Sequence, residues 1–238
     1  MMTHQKRLSA PSSWPIERKS YVFTVSPQAG PHGEEGVPLV VLLRDVVEYV
    51  ENAKEARYAL ENDSVVINGE PADDIRTPIG MFDIVAFPEM DEYYRVFPGE
   101  GGRLSLTSID EDAATTKLAK ITDKTQIKGG ETQLNLHNGD NLLVEDDVYS
   151  TDDSVVVDVE TDEIVDHFVF DEGRAVTAVD GKHSGEVGKL VEIRITEGSS
   201  PNTIVAERDD GTTFETVEEY VFVIGESLTS LEEQEADE

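Results

Sequence analysis

Leu39, Leu42, Leu43, Val46, Val47 and Val50 recur at steps of three and four residues, the period of a helix with one apolar face, which predicts a helix ending near Asn52. A second helix follows at once over Lys54 to Leu60. It turns Ala56, Ala59 and Leu60 inward and sets Lys54 and Arg57, three apart, on a shared outer face. After Asn62-Asp63 the run Val65-Val66-Ile67 reads as a strand closed by Asn68-Gly69, with Ile84-Val85-Ala86-Phe87 as a later strand. The order is therefore helix, helix, strand, strand. Farther on, Gln133 to Leu136, Asn141 to Val144, Ser154 to Val157 and His167 to Phe170 are short apolar runs separated by Asn-Gly and Asp-Asp turns, the pattern of a small β-domain. Last, Ala175, Val176, Ala178 and Val179 lead into a glycine-rich stretch, and Leu190, Val191 and Ile193 lead out of it. This predicts strand, turn, strand, with Gly181, Gly185 and Gly188 supplying backbone freedom.

Charge changes how these elements are read. With 51 acidic against 19 basic residues the chain carries a net charge of −32, enough to repel both itself and nucleic acid at ordinary ionic strength. The Debye length shrinks to about 3 Å at about 1 M salt, so the acidic excess fits a halophile's surface. A disordered acidic protein is the competing explanation, but 38% hydrophobic residues in repeated short runs can build a core, which leaves disorder for the ends.

The exceptions are informative. Residues 1–33 hold Lys6, Arg7, Arg18 and Lys19 against Glu17, a net of +3. With Pro11, Trp14, Pro15 and the turn Gly30-Pro31-His32-Gly33, this segment predicts an extended basic arm that orders on a partner. A second basic island runs through Lys117, Lys120, Lys124 and Lys128. A third sets Arg174, Lys182, Lys189 and Arg194 against Asp180, Glu186 and Glu192. Such clusters serve an anionic partner or pair with local carboxylates.

Several chemistries are excluded. There is no cysteine, hence no disulfide, thiolate or zinc finger. His4, His32, His137, His167 and His183 match no metal-ligand spacing and read as turn or surface residues, and no cofactor is implied. The acids Asp146, Asp147, Asp152, Asp153, Asp158, Glu160, Asp162 and Glu163 do not follow the calcium-loop spacing and read as surface charge. No apolar run suits a membrane span or a signal peptide, which predicts a cytoplasmic protein with no membrane partner. No phosphate-binding loop or nucleophile elbow occurs, so no enzyme is expected.

Asp180 to Val191 resembles a KOW motif, which implies an SH3-like barrel over 173–230 that meets RNA through Lys182, His183 and Lys189. Glu55-Ala56-Arg57, Val66-Ile67-Asn68-Gly69 and Gly80 to Val85, set in the helix-helix-strand-strand order, resemble the S4-type RNA-binding domain, with Met81-Phe82 inserted between Gly80 and Asp83. That resemblance covers 38–99 and implies RNA contacts at Arg44, Lys54 and Arg57. Preceded by His4 to Leu8, Trp14-Pro15 and Gly30-Pro31-His32, and followed by Tyr94-Arg95-Val96, Gly102-Arg103-Leu104, Leu136 to Gly139 and Phe170 to Gly173, the series is similar to the S4e family of small-subunit ribosomal proteins of archaea and eukaryotes. The acidic bias points to a haloarchaeal member.

The resemblance implies an α+β, multidomain chain. Its parts would be an extended basic arm (1–37), an S4-type α/β domain (38–99), a central β-domain (100–172), a C-terminal KOW barrel (173–230) and an acidic tail (231–238). It also implies a structural constituent of the small ribosomal subunit that binds and stabilises small-subunit ribosomal RNA beside neighbouring ribosomal proteins. His4, Lys6, Arg7, Trp14, Arg18 and Lys19 of the arm, Arg103, and Lys117 and Lys120 of the second island join the expected RNA-binding set. Trp14 is read either as stacking on sugars or bases or as an anchor on its own body. Two rivals share a motif with this chain. A transcription elongation factor carries a KOW domain but no S4-type helices, and a pseudouridine synthase carries a catalytic Arg-Leu-Asp where Arg103-Leu104-Ser105 has serine.

Overall fold

Strand β1 (His4–Lys6) pairs antiparallel with β2 (Phe23–Val25), and the chain between them is folded against the body of the protein. A computed structural model describes residues 3–33, 35–145 and 148–225. Asp146, Asp147, the end of the expected barrel and the acidic tail therefore lie outside the described residues. Ala10, Trp14 and Ile16 are buried in the largest core cluster, the Trp14 indole N–H donates to the Glu35 carbonyl at 2.9 Å, and the Leu104 N–H donates to the Ser13 carbonyl at 2.7 Å. The expected extended arm is thus a packed segment. Prolines prevent regular secondary structure here without preventing burial, and the three buried side chains follow no period that pattern reading detects.

Strand β3 (Val37–Pro38) leads into a single α-turn, α1 (Leu39–Val41), which widens into a π-helical turn over Leu42–Val46. The helix therefore stops short of Asn52. The Tyr49 and Val50 N–H groups both donate back to the Leu43 carbonyl across a turn in which Glu48 has a positive φ, so Val50 stays buried without being helical. Asn52 opens the next helix instead of closing this one. Its side chain accepts the N–H groups of Lys54 and Glu55 at 3.0 and 3.2 Å, and Glu55 reaches back to the Glu51 N–H at 2.8 Å, a capping arrangement at the start of α2 (Ala53–Glu61). Ala56, Ala59 and Leu60 of α2 face the core.

Strands β4 (Val66–Ile67), β5 (Glu70–Pro71), β6 (Pro78–Ile79), β7 (Ile84–Phe87), β8 (Glu92–Pro98) and β9 (Leu104–Ile109) follow. They form a sheet in the order β5-β4-β7-β8-β9, while β6 pairs with β3. The boundary expected at residue 100 falls inside the β8–β9 hairpin, whose register runs from Tyr93 opposite Ile109 to Pro98 opposite Leu104.

A second sheet, ordered β12-β11-β10-β13-β14, comprises β10 (Thr116–Gln126), β11 (Thr132–Leu136), β12 (Asn141–Val144), β13 (Ser154–Asp158) and β14 (Ile164–Phe168). Its core gathers Ala119, Ile121, Leu134, Leu136, Val155 and Val157. The third sheet is ordered β18-β17-β16-β15-β19 and consists of β15 (Ala175–Ala178), β16 (Val187–Arg194), β17 (Thr203–Glu207), β18 (Thr213–Val217) and β19 (Val221–Val223). Phe82, Phe97, Leu118, Phe222 and Ile224 form an apolar cluster joining all three sheets. The molecule is mostly β, with few helices and several sheets. Among the described residues no helix is long and apolar enough to cross a membrane.

Candidate nucleic-acid interface

In the N-terminal segment His4, Lys6 and Lys19 are exposed, whereas Arg7 is buried. The Arg7 Nε donates to the Glu17 carbonyl at 2.7 Å and its guanidinium lies 5.4 Å from the centre of the Tyr21 ring. Arg18 is partly buried, its Nη2 donating to the Leu8 carbonyl at 2.5 Å. Both arginines close the loop between β1 and β2. Trp14, at 1% exposure, presents no ring face to a partner and is the anchor of its own body.

On α2 Lys54 and Arg57 are exposed, and an Arg57 Nη1 donates to the Ala53 carbonyl at 3.3 Å. Arg44 is differently placed. Its fork grips Asp45 through Nε and Nη2, both at 2.7 Å, and this hydrogen-bonded carboxylate raises the guanidinium pKa above its ordinary value. The pair takes up the Nε–Nη2 edge of the guanidinium, one of the two edges that could clasp a phosphate, and neutralises its charge.

Two lysines of the second basic island, Lys117 and Lys120, lie inside the protein. The Lys117 Nζ pairs with Asp140 at 2.9 Å, and the Lys120 Nζ pairs with Asp152 at 2.9 Å while donating to the Glu218 carbonyl at 2.9 Å. Lys120 is 3% exposed and also sits over the rings of Phe170 and Phe222. It pins the second sheet to the third. Both side chains are buried and their ammonium groups are ion-paired within the protein, which removes Lys117 and Lys120 from the expected RNA-binding set. The outer part of β10 is exposed, and there the Lys124 Nζ donates to the Tyr149 carbonyl at 2.9 Å.

The glycine-rich stretch forms a short 3-10 turn over Gly181–His183 between β15 and β16. Lys182 and Lys189 are exposed. The His183 Nδ1 lies 2.9 Å from Glu186, which also receives the Arg208 Nε at 2.9 Å, and the Arg208 guanidinium lies 4.8 Å from the centre of the Phe214 ring. Burial pushes the Glu186 carboxyl up, but the hydrogen bonds and charges of His183 and Arg208 outweigh it and hold the group below the usual carboxylate range. Glu186 therefore braces the turn. Gly185, at φ +83°, sits where a β-carbon would come within 3.1 Å of the Pro98 carbonyl, so the turn packs on the end of β8. The same contact brings exposed Arg103 near, since a β-carbon on Gly102 would lie 3.8 Å from Ser184.

A model of the ribosomal family S4e matches residues 90–164, and a model of the RS4NT domain matches residues 2–35. The small ribosomal subunit protein eS4 of Haloarcula marismortui is 58% identical over 234 residues, covering 98% of this chain and 100% of that protein. The chain belongs to the S4e family. The eS4 protein of Natronomonas pharaonis is 60% identical over 96% of this chain and 98% of its own. The crystal structure of the 30S ribosomal protein S4e from Thermoplasma acidophilum superposes with a TM-score of 0.68 at 26% identity, covering 81% of this chain and 96% of that one.

In this S4e chain His4 is an exposed residue as its spacing suggests, whereas the side chains of His32 and His137 are tied into the interior. The His32 Nε2 lies 2.7 Å from Asp83, whose other oxygen accepts the Asn68 side chain at 2.9 Å, and the Gly80 N–H also donates to Asp83 at 2.9 Å. Gly80 has no β-carbon because one would overlap the His32 ring. His137 accepts the Lys120 N–H on Nδ1 at 3.3 Å and donates from Nε2 to the Met81 carbonyl at 3.2 Å, which fixes the neutral tautomer. Burial, with His32 nearby, pushes its pKa down to about 4. The Met81-Phe82 insertion accounts for this node, since the Met81 carbonyl and the Phe82 ring both meet His137. Among the described residues no cluster of His, Asp and Glu could hold a metal ion.

Proposed function

We propose that this chain is a structural constituent of the small ribosomal subunit, ribosome-bound, where it binds and stabilises ribosomal RNA beside neighbouring ribosomal proteins. The observation that carries this is identity above one half, almost end to end, with eS4 proteins of haloarchaea. At a finer level, α1, α2 and the sheet β5-β4-β7-β8-β9 act as the S4-type RNA-binding unit, the sheet β12-β11-β10-β13-β14 as a central β-domain and the sheet β18-β17-β16-β15-β19 as the KOW unit. The contacts are made by side chains that remain exposed: His4, Lys6 and Lys19 on the N-terminal segment, Lys54 and Arg57 on α2, and Arg103, Lys182 and Lys189 around the glycine turn. Their work is phosphate neutralisation, which positions the protein on RNA. At molar salt counterion release contributes little, so hydrogen bonding, shape and stacking carry more of the affinity.

Sedimentation of a cell extract in molar potassium chloride tests the proposal. The protein should travel with the small subunit in a fixed ratio to its RNA. Recovery with RNA polymerase, or as a free monomer, would refute it.

A further inference from the structure

Four of the large apolar side chains most exposed to solvent, Leu8, Tyr21, Val22 and Phe23, fall on or beside the paired strands β1 and β2 of the N-terminal segment. Tyr21 is 72% and Phe23 56% exposed, although Ala10, Trp14 and Ile16 of the same segment are buried in the main core. A protein that packs three apolar residues of a segment and leaves two aromatic rings of it in solvent has placed those rings for a partner. Both rings are held in position. The Arg7 guanidinium stacks at 5.4 Å from the Tyr21 centre while its Nε is tied to Glu17, and His4 meets the Phe23 ring edge-on with centroids 5.6 Å apart and planes at 90°.

The surroundings of the rings select the partner. Lys6 is directly opposite Phe23 in the β1–β2 register, Lys19 precedes Tyr21 by two residues, and both are exposed. Rings flanked by cations, on a protein of net charge −32, match a ligand that offers flat faces and negative charge together. A base-paired duplex keeps its base faces covered, whereas an unpaired nucleotide exposes both a face and its phosphates. Stacking also survives the short Debye length of molar salt, which weakens contacts made by exposed lysines alone.

We propose that the β1–β2 hairpin is a stacking platform for unpaired nucleotides of RNA, with Tyr21 and Phe23 receiving bases and Lys6 and Lys19 meeting the adjoining phosphates. This rests on the ribosomal reading above and names the form of RNA that the N-terminal segment takes. It also separates two kinds of contact in one protein, salt-sensitive at the lysines and salt-tolerant at the rings.

The test measures the affinity of the full chain for protein-free small-subunit ribosomal RNA across a series of potassium chloride concentrations. Tyr21→Ala and Phe23→Ala should each weaken binding by roughly 5- to 150-fold without altering the slope of log affinity against log salt, and Tyr21→Phe should bind as the wild type does. Lys19→Ala should weaken binding less at molar salt and should make the slope shallower. An unpaired oligonucleotide should compete with the hairpin's RNA contact and its duplex form should not. Wild-type affinity in both alanine variants overturns the proposal. So does full RNA affinity combined with loss from the subunit, since the hairpin would then belong to a neighbouring protein. Failure of the wild-type chain itself to bind the RNA would count against the ribosomal reading, whereas failure confined to the ring variants' predicted loss counts against the platform alone. Because both rings are exposed, melting temperatures should stay at the wild-type value, and a large drop with no loss of affinity in the folded fraction makes the rings structural and also overturns it.

Discussion

Replacing Trp14 by alanine separates the two roles open to this side chain, RNA contact and internal anchor. Trp14 is 1% exposed and packs in the main core with Ala10, Ile16 and the residues of α1. Truncating a buried aromatic side chain to alanine costs about 3–5 kcal/mol. The Glu35 carbonyl also loses its indole donor, worth roughly 1 kcal/mol. The combined loss of about 4–6 kcal/mol is a large part of the ~5–15 kcal/mol that holds a typical protein folded. Each 1 kcal/mol moves the melting point by about 2–4 °C at this size, so the transition of the N-terminal unit should fall by roughly 8–24 °C. Trp14→Phe keeps an aromatic ring in the same site and should lose only a part of this. Circular dichroism melts in molar potassium chloride would read the shift, and RNA binding of the folded Trp14→Phe protein should equal that of the wild type. A Trp14→Ala protein that melts with the wild type would refute the anchor. So would a fully folded Trp14→Phe protein that no longer binds RNA.

Reversing Lys54 and Arg57 to glutamate should weaken binding to small-subunit RNA with little change in melting temperature, because both side chains are exposed and make no ion pair among the described residues; wild-type affinity would place the RNA face elsewhere. Lowering salt from molar to about 0.1 M lengthens the Debye length to about 10 Å and should unfold the isolated protein, and an unchanged circular dichroism spectrum would refute the halophile reading. His137 has a folded pKa of about 4 against an ordinary value near 6.5, so between these limits the unfolded chain binds the proton and the folded chain does not. Stability should therefore be full above about pH 6.5 and fall as the pH drops toward about 4, and His137→Gln should flatten that part of a melting-temperature profile. A variant with the same pH dependence as the wild type would show that another group is responsible.

What could be read from the residues and what could not follows from the range of the signal. The second helix was legible because Ala56, Ala59 and Leu60 repeat at helical spacing and because the cap at Asn52 is local. The end of the first helix was not, since Val47 and Val50 continue the same apolar spacing through a turn whose hydrogen bonds return to Leu43. The glycine turn near Gly181 was legible as strand, turn, strand. Its brace was not, because Arg208 lies 22 residues from Glu186. Likewise Lys120 looks like a surface cation until the Glu218 carbonyl, 98 residues later, folds onto it. Long-range partners decide such cases and leave no local pattern.

That distinction changes how basic residues should be counted in an acidic protein. Selection against positive charge leaves a lysine or arginine in place for either of two reasons, an anionic partner outside or carbonyls and carboxylates inside, and the sequence alone merges them. Lys117, Lys120 and Arg7 belong to the second group. Arg95 does also: it is buried, its Nη2 donates to the carbonyls of Ala113 and Thr116, and burial lowers its pKa to about 10. Of these, Lys120 and Arg95 join separate sheets, and buried cations are screened by salt much less than exposed pairs, so they keep more of their strength at molar ionic strength. The protein thus places its salt-resistant cations where architecture needs them. It leaves Lys54, Arg57, Arg103 and Lys182 exposed, where solvent access keeps them available to an anionic partner and where shape and hydrogen-bond geometry would have to supply what charge no longer can.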